Sequence, residues 1–385
     1  MEATTARDAG ADVTVICPSD DRHPAGRFDL DGISVRRYPA PKEARGVVGY
    51  IGEYGGSLRA MNQAFKDARR EGAFDIVHFC NPPDLLYLVA TPAKKHDGSV
   101  LVFDQHDVGP ELVAAKKMPF SRFFVAVARF FEQRTYKHSD HVIATNESYR
   151  SIAIARGGFS KSDTTVIRSG PSRDWADGAK DDRDWHRGRQ HLIGYLGVMG
   201  RQEGIEYLIE AAEELVSRGL DIQLALIGSG PDRDRLESLV RAKGLDDRIE
   251  FHGRLSDDDM KSVLSDADVC VNPDEVNPMN DLSTMNKIIE YMALGKPIVQ
   301  FDLKEGRFSA GDASVYARPS NDSTAFADAI ETVLASPEDA QRMGKIGRDR
   351  FESELSWEAQ GPRLVETYSR LLKRRPIPQN AESAT

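Results

Sequence analysis

From Asn280 to Pro297 the chain reads NDLSTMNKIIEYMALGKP, and this stretch constrains what can surround it. It opens polar, offers Ser283 and Thr284 as helix N-caps, then turns helical with Ile288, Ile289, Met292 and Ala293 apolar. Gly295 fits the position just past a helix end, and Pro297 stops the helix from resuming. Upstream, Ala267 to Val271 (ADVCV) reads as a short buried strand. A strand, a loop and a helix start make an anion site, because first-turn amides have no carbonyl partners. Glu290 lies inside that helix among apolar neighbours. Two readings of it stay open: an ion pair with Lys287 or Lys296, or an acceptor for sugar hydroxyls whose phosphates rest on the loop amides.

At 385 residues the chain has room for two domains, each with a core of its own. Its net charge of −10 leaves no basic excess to neutralise phosphates, which argues against general nucleic-acid binding. Cys17, Cys80 and Cys270 all fall in apolar, strand-like runs and read as small core residues, with no spacing for disulfides or zinc. No run approaches a membrane span and no signal-peptide pattern opens the chain, so the expected location is cytoplasmic.

Strands and helices alternate in both halves. Asp12–Cys17, Ile33–Tyr38, Phe74–Cys80, Val100–Phe103, His141–Thr145 and Thr164–Arg168 read as strands, with helices over most of the gaps. A charged stretch from Pro171 to Gln190 lacks apolar periodicity and reads as a linker. The alternation resumes with strands at Leu192–Leu196, Ile222–Ile227, Ile249–Phe251, Val269–Val271 and Ile298–Phe301. The expected division is an N-terminal domain over 1–170, a linker over 171–190 and a C-terminal domain over 191–356. A helix over 357–373 packs back towards the first domain, and a frayed tail covers 374–385. The fold class is α/β, two doubly wound domains whose strand ends meet at a cleft.

The residues expected at that cleft follow strands. In the second half, GVMGRQEG (Gly197–Gly204) precedes a helix striped by Ile205, Leu208, Ile209, Ala212 and Leu215. Gly197 and Gly200 let the backbone approach a ligand, and Arg201 offers a cation where a diphosphate would lie. In the first half, Asn81-Pro82-Pro83-Asp84 and Asp104-Gln105-His106-Asp107 each follow a strand. His106, between two acids, either orients an acceptor and moves a proton or is a buried histidine pinned by Asp104 or Asp107. Glu111 opens the next helix, where a carboxylate also complements the dipole. The Asp-x-His-Asp run lacks further ligands for a metal. From Met118 to His138, phenylalanines 120, 123, 124, 130 and 131 interleave with Arg122, Arg129, Arg134 and Lys137, after Lys116 and Lys117. This pattern suits a membrane surface and, equally, a core helix with a solvated basic face.

Taken together, EATTARDAGADVTVICP, CNPPDLL, FDQHDVGPE, GVMGRQEG and NDLSTMNKIIEYMALGKPIV resemble a family 4 glycosyltransferase of the GT-B architecture. The wording STMNK and DQHD is similar to a bacterial subgroup of polysaccharide or lipid-linked glycan assembly. The resemblance implies a retaining transferase of the hexosyl class that takes a nucleotide-diphosphate sugar as donor and a glycan or lipid-linked acceptor. Glu290 then holds the donor ribose, while Ser283, Thr284, Met285, Asn286 and Lys287 bind diphosphate and sugar. Asn81, Asp84, Asp104, His106, Asp107 and Glu111 take the acceptor side. The family's first glutamate falls at Leu282, making Asp281 the substitute. Its usual Arg and Lys fall at Val198 and Glu203, making Arg201 the phosphate cation. His106, Asp281 and Arg201 are the candidate catalytic residues.

The family mechanism needs no protein nucleophile and no required metal or other cofactor, since the leaving diphosphate takes the acceptor proton. A nucleotide-sugar epimerase on the same architecture and an inactive nucleotide-sugar-binding protein remain the alternatives. Peripheral membrane contact through residues 116–138 would fit a lipid-linked acceptor. By the same comparison Asp12–Cys17 is already the second strand, so the expectation is that roughly 20–30 residues, carrying the first strand and its loop, precede Met1.

Overall fold

The computed structural model describes residues 1–40, 46–115, 120–178 and 183–374. These divide into one compact unit formed by residues 1–167 together with the chain from Gly361, and another formed by 168–360.

The first unit opens with α1 (Glu2–Asp8), and its strands are β1 (Thr14–Pro18), β2 (Gly26–Leu30), β3 (Ile33–Tyr38), β4 (Ile76–Cys80), β5 (Val100–Gln105), β6 (His141–Ala144) and β7 (Thr164–Val166). They form two sheets, β1-β3-β2 and β4-β5-β6-β7. Among the described strands only β2 runs antiparallel, and the sequence reading missed it. Its residues are mostly exposed, so they carry no core pattern, and it owes its place to a tight turn. Asp31 (φ 51°) and Gly32 (φ 81°) supply the two left-handed residues of a two-residue hairpin. The remaining helices are α2 (Gly46–Glu71), α3 (Tyr87–Asp97), α4 (Gly109–Ala115), α5 (Ser121–His138) and α6 (Glu147–Gly157). Lys116 and Lys117 lie outside the described residues.

The second unit is one parallel sheet of β8 (His191–Leu196), β9 (Ile222–Ile227), β10 (Ile249–Gly253), β11 (Val269–Asn272), β12 (Ile298–Phe301) and β13 (Ser314–Ala317). Its order is β10-β9-β8-β11-β12-β13, so the winding reverses between β8 and β11. A doubly wound sheet opens a crevice at such a reversal, outside the carboxyl ends of the two strands. The helices are α7 (Ile205–Ser217), α8 (Arg233–Lys243), α9 (Asp257–Asp266), α10 (Asn286–Ala293), α11 (Lys304–Ala310), α12 (Ser323–Leu334) and α13 (Pro337–Arg350). The α7 stripe read from the sequence is buried throughout, against Leu224, Leu226, Val271 and Phe326. The other face packs Ile288, Ile289, Met292 and Ala293 of α10 with Leu192, Cys270 and Phe351. Cys270 is thus a core residue as expected, whereas Cys80 is exposed at the end of β4.

Most of the expected linker belongs to the second unit. Trp185 is buried and its Nε1 donates to Ser262 Oγ at 3.0 Å, while Trp175 packs on the same core. Two tryptophans anchor a segment whose charged composition hid them, though residues 179–182 lie outside the described set. The last helix, α14, runs Trp357–Arg374. Its later turns join the first unit, where Tyr368 Oη lies 2.6 Å from His78 Nδ1 and Thr367 Oγ1 3.2 Å from Thr165 Oγ1. The expected frayed tail from 375 onward is not among the described residues.

Candidate functional site

In the second unit the crevice at the β8/β11 reversal is built by two loops. The first leaves β8 at Gly197 and enters α7 through Gly204. Gly204 has φ 62°, and a Cβ there would stand 1.9 Å from Pro273 O, so only glycine lets this turn lie against the chain leaving β11. Gly197 is confined as well, since a Cβ would meet the Tyr195 hydroxyl at 2.6 Å. At Gly200 a Cβ would meet Glu203 Cγ at 3.8 Å, an ordinary contact, so this position does not demand glycine. Arg201 is 84% exposed, with Asp232 Oδ1 3.8 Å from its Nε, and so projects its charge into solvent.

The second loop runs from β11 to α10. Asn280 anchors it, its Nδ2 donating to Gln202 O (3.0 Å) and Glu275 O (2.8 Å). Tyr291 ties the three elements together. Its hydroxyl receives the Leu196 N–H at 2.8 Å and donates to Val271 O at 3.2 Å, which sets α10 under the ends of β8 and β11.

The helix start differs from the sequence reading. α10 begins at Asn286 with Met285 at the cap position and no capping side chain. Ser283 Oγ instead donates to Met279 O (2.9 Å), and Thr284 Oγ1 receives Arg168 Nη1 (3.3 Å). Both hydroxyls therefore bond partners outside the helix, and neither caps it. No backbone carbonyl receives the Met285 or Asn286 N–H among the described residues. The C-terminal reading holds: Gly295 has φ 65°, and the Gly295 and Lys296 N–H groups bond Met292 O and Tyr291 O.

Both lysines that the sequence offers as partners for Glu290 are engaged elsewhere. Lys287 Nζ lies 2.8 Å from Asp274 Oδ1 and 3.2 Å from Glu203 Oε2, and 5.0 Å from the centre of the Tyr195 ring. Lys296 Nζ donates to Ala267 O at 2.9 Å. The Glu290 carboxylate, half-buried, has no hydrogen-bonded or ion-paired partner among the described residues. Burial pushes its carboxyl up to about 7, with Lys287 lowering it only in part and Asp257 raising it further. Asp274 is also pushed up to about 7, by burial first and by Glu203, against the pull of Lys287. Sequence reasoning missed Asp274 and Glu203 as partners of Lys287, because their meeting depends on two loops converging. Asp281 accepts the Lys304 N–H at the start of α11 (2.8 Å), leaving one carboxylate oxygen uncommitted to that bond.

In the first unit β4 and β5 end side by side, which brings the two predicted loops together. Asn81 joins them with its whole amide. Nδ2 donates to Asp84 Oδ1 and Asp107 O, both at 2.9 Å, and Oδ1 accepts the His106 and Asp107 N–H groups. Asn81 has no capacity left for an acceptor and acts by holding the loop. His106 Nε2 lies 2.5 Å from Asp104 Oδ2, and this bond raises the imidazole above its usual 6.5. Burial opposes ionisation of Asp104, but bonds from His106 and His78 hold it at about 2. The His106 side chain is 38% exposed, so the ring reaches solvent from a fixed base. Burial raises Asp84 to about 6 and lifts Asp107 as well. Glu111 turns away to a close ion pair with Arg156, which also reaches buried Glu132 at 3.2 Å. Glu2, Asp104 and His106 each bring one ligand atom within 4.8 Å of the others, the one grouping among the described residues that could hold a metal ion.

Residues 2–170 match the family model described as "Glycosyl transferase 4-like domain", and 190–336 match "Glycosyl transferases group 1". Alpha-D-kanosaminyltransferase of Streptomyces kanamyceticus is 31% identical over 179 residues, 46% of this chain and 45% of the relative. The match thus spans less than half of that relative's own length. Sucrose-phosphate synthase from Thermosynechococcus elongatus superposes with TM-score 0.79 at 22% identity, covering 96% of this chain and 92% of the other. Anabaena HepE in complex with UDP-glucose gives TM-score 0.66 at 15% identity, over 93% and 99% of the two chains.

Proposed function

We propose, since this chain belongs to the GT-B glycosyltransferases, with a 4-like domain followed by a group 1 domain, that it moves a sugar from a nucleotide-diphosphate donor to a glycan or lipid-linked acceptor with retention. The observation that carries the reading is the Glu290 carboxylate, half-buried beside the sheet reversal and unpaired among the described residues while both nearby lysines are engaged. A buried carboxylate without a partner is costly, and two vicinal hydroxyls of a ribose satisfy it. The Met285 and Asn286 amides and the exposed Arg201 charge supply donors for the diphosphate. As the sugar–phosphate bond breaks, the leaving diphosphate oxygen takes the proton of the acceptor hydroxyl that forms the new glycosidic bond, without a required metal. Charge stabilisation by fixed donors is the main catalytic device. His106, held by Asp104, orients the acceptor. HepE, a protein of this fold, is in complex with UDP-glucose, which supports a nucleotide-sugar donor.

The acceptor reading has its own support. At the cap of α5 and along it, Phe120, Phe123 and Phe130 are 83, 65 and 50% exposed, and Arg122, Arg129, Arg134 and Lys137 are exposed with them. A core role does not account for these rings, whereas an anionic membrane surface takes both the rings and the charges. No helix among the described residues is long and apolar enough to cross a membrane, and the contact proposed for α5 is a peripheral one.

The test is label transfer from a panel of radiolabelled nucleotide sugars to a bacterial lipid and glycan extract. Labelled product formed by the chain and lost in Glu290→Ala is the expected result. Binding without transfer would make it a sugar-nucleotide-binding protein, and recovery of an inverted free sugar nucleotide an epimerase.

A further inference from the structure

β7 is the free edge of its sheet, and α14 lies along it. Between β7, α6 and α14 is a cavity of about 180 Å³, far above the ~10–15 Å³ that one water needs. Three guanidiniums line it, Arg150, Arg363 and Arg370, with three hydroxyls, Thr164, Thr165 and Thr367. None of these residues belongs to the donor or acceptor sets above.

The charges are unevenly matched. Arg150 is held by Glu147 (3.1 Å) and donates to Thr164 Oγ1 (3.0 Å) and Lys161 O (3.2 Å). Arg363 and Arg370 sit two turns apart on one face of α14 and have no carboxylate partner among the described residues. Their bonds go to neutral acceptors, Val166 O (3.2 Å) and Thr165 Oγ1 (3.3 Å). Arg370 Nε is buried with no acceptor among the described residues. A guanidinium donor shut away from water without a partner is costly, and an oxyanion in the cavity relieves it. Glu366 also lines the cavity but is exposed, with no ion pair to either arginine. Among the described residues no aromatic ring lines the cavity, so a neutral sugar finds no face to stack on there.

We propose that this cavity is a second ligand site, specific for a phosphate group, which Arg363 and Arg370 bind as a forked pair with the Thr165 and Thr367 hydroxyls completing the cradle. The ligand is either free orthophosphate or the phosphate of a phosphorylated saccharide. His141 reports on the site without lining it. Its Nε2 lies 2.9 Å from Thr165 Oγ1, the hydroxyl that Arg370 and Thr367 also reach.

The test follows the His141 imidazole signal of the full chain by NMR, assigned with His141→Gln, during titration with sodium phosphate. Sodium chloride and glucose serve as controls. A saturable shift at millimolar phosphate, absent with both controls, is expected. Arg370→Gln weakens that binding at least tenfold, and Arg363→Gln weakens it several-fold. Arg370→Lys, which keeps the charge and loses the fork, covers the case where Arg370→Gln fails to fold and also weakens binding several-fold. A hexose phosphate binding more tightly than orthophosphate assigns the ligand to a phosphorylated saccharide, and equal binding assigns it to free phosphate. A signal unmoved by phosphate, moved equally by glucose or by chloride, or unaffected by the arginine substitutions overturns the proposal. A ligand held only at the donor site leaves this signal still, so the result stands apart from the transferase assay.

Discussion

The Lys287 ammonium lies 2.8 Å from Asp274 Oδ1, and so α10 turns its own lysine away from Glu290, three positions along. The consequence is a division of labour within one helix turn. Lys287 neutralises buried Asp274 and half-buried Glu203, which hold the loops together, and Glu290 keeps a carboxylate that no side chain or amide among the described residues satisfies. The raised proton affinity of Glu290 follows from that arrangement, with burial as the largest cause.

Glu290 gives a pH-dependent prediction. Its carboxyl is raised from 4.5 to about 7, so the protonated form is favoured in the folded state. The folding penalty for ionising it is absent below pH 4.5, grows as pH rises and is complete above about 7, on the order of 3 kcal/mol. Glu290→Gln is therefore expected to melt higher than the parent at pH 8 and level with it at pH 4. Donor affinity should run the other way. Ribose hydroxyls donate best to the ionised form, so parent binding tightens as pH rises through 7, and the Gln variant loses this dependence. Calorimetric titrations showing the same pH profile in both proteins would remove Glu290 from the donor site.

Arg201 is exposed and carries no packing, so Arg201→Ala should leave thermal stability within about 0.5 kcal/mol of the parent. Nucleoside-diphosphate binding should weaken while nucleoside binding holds. Equal losses for the two ligands would place the cation away from the phosphates.

Lys287→Met should be severe for a different reason. It leaves Asp274 and Glu203 facing each other without a counter-charge, a change of about 3–5 kcal/mol for a buried pair broken on one side. Adding Asp274→Asn should restore part of the loss, because the acid that needs Lys287 most is gone. Denaturant unfolding of the single and double variants measures this. Additive losses would mean that the three groups are not coupled.

Asp104 holds His106 in its raised state, so the imidazolium contributes stability below pH 6.5 that is lost as pH rises through its folded value. Asp104→Asn removes the counter-charge and should bring the His106 titration, followed by NMR, down to 6.5 or lower. A titration that does not move would assign the raised value to another neighbour.

The sequence showed the parts of the site that depend on local pattern. The α10 apolar positions, the Gly295 stop and the α7 stripe follow helix periodicity, and all lie where the pattern puts them. What it did not show depends on contacts far along the chain. Whether Glu290 pairs with Lys287 was undecidable from spacing, because Asp274 lies thirteen residues before Lys287 and Glu203 on another loop. Ser283 and Thr284 looked like caps, but partners outside the helix, Met279 O and Arg168, claimed both hydroxyls. Asn81 looked like a ligand residue and proved to be the clasp between two loops, which only the adjacency of β4 and β5 could reveal.

The α5 surface gives the last prediction. Phe120, Phe123 and Phe130 stand exposed, while Glu132, Thr135 and Tyr136 form the buried side of the same helix. Arg134 lies 5.0 Å over the Phe130 ring, an arrangement that keeps a charge and an aromatic face together at one surface. Exposed rings on a soluble helix gain nothing from water, whereas at a lipid headgroup boundary each ring buries apolar area and each arginine meets anionic lipid. Two contributions follow, one salt-sensitive and one not. The chain should cosediment with vesicles rich in anionic lipid, less so as salt rises, and only weakly with neutral vesicles. Replacing Phe120, Phe123 and Phe130 together by Ser should reduce binding at every salt concentration without lowering the melting temperature, because these side chains carry no core contacts. Replacing Arg122 and Arg129 by Gln should instead flatten the salt dependence. Vesicle binding that survives both sets of substitutions would assign the contact to another surface, and no binding at low salt would leave the exposed rings without this role.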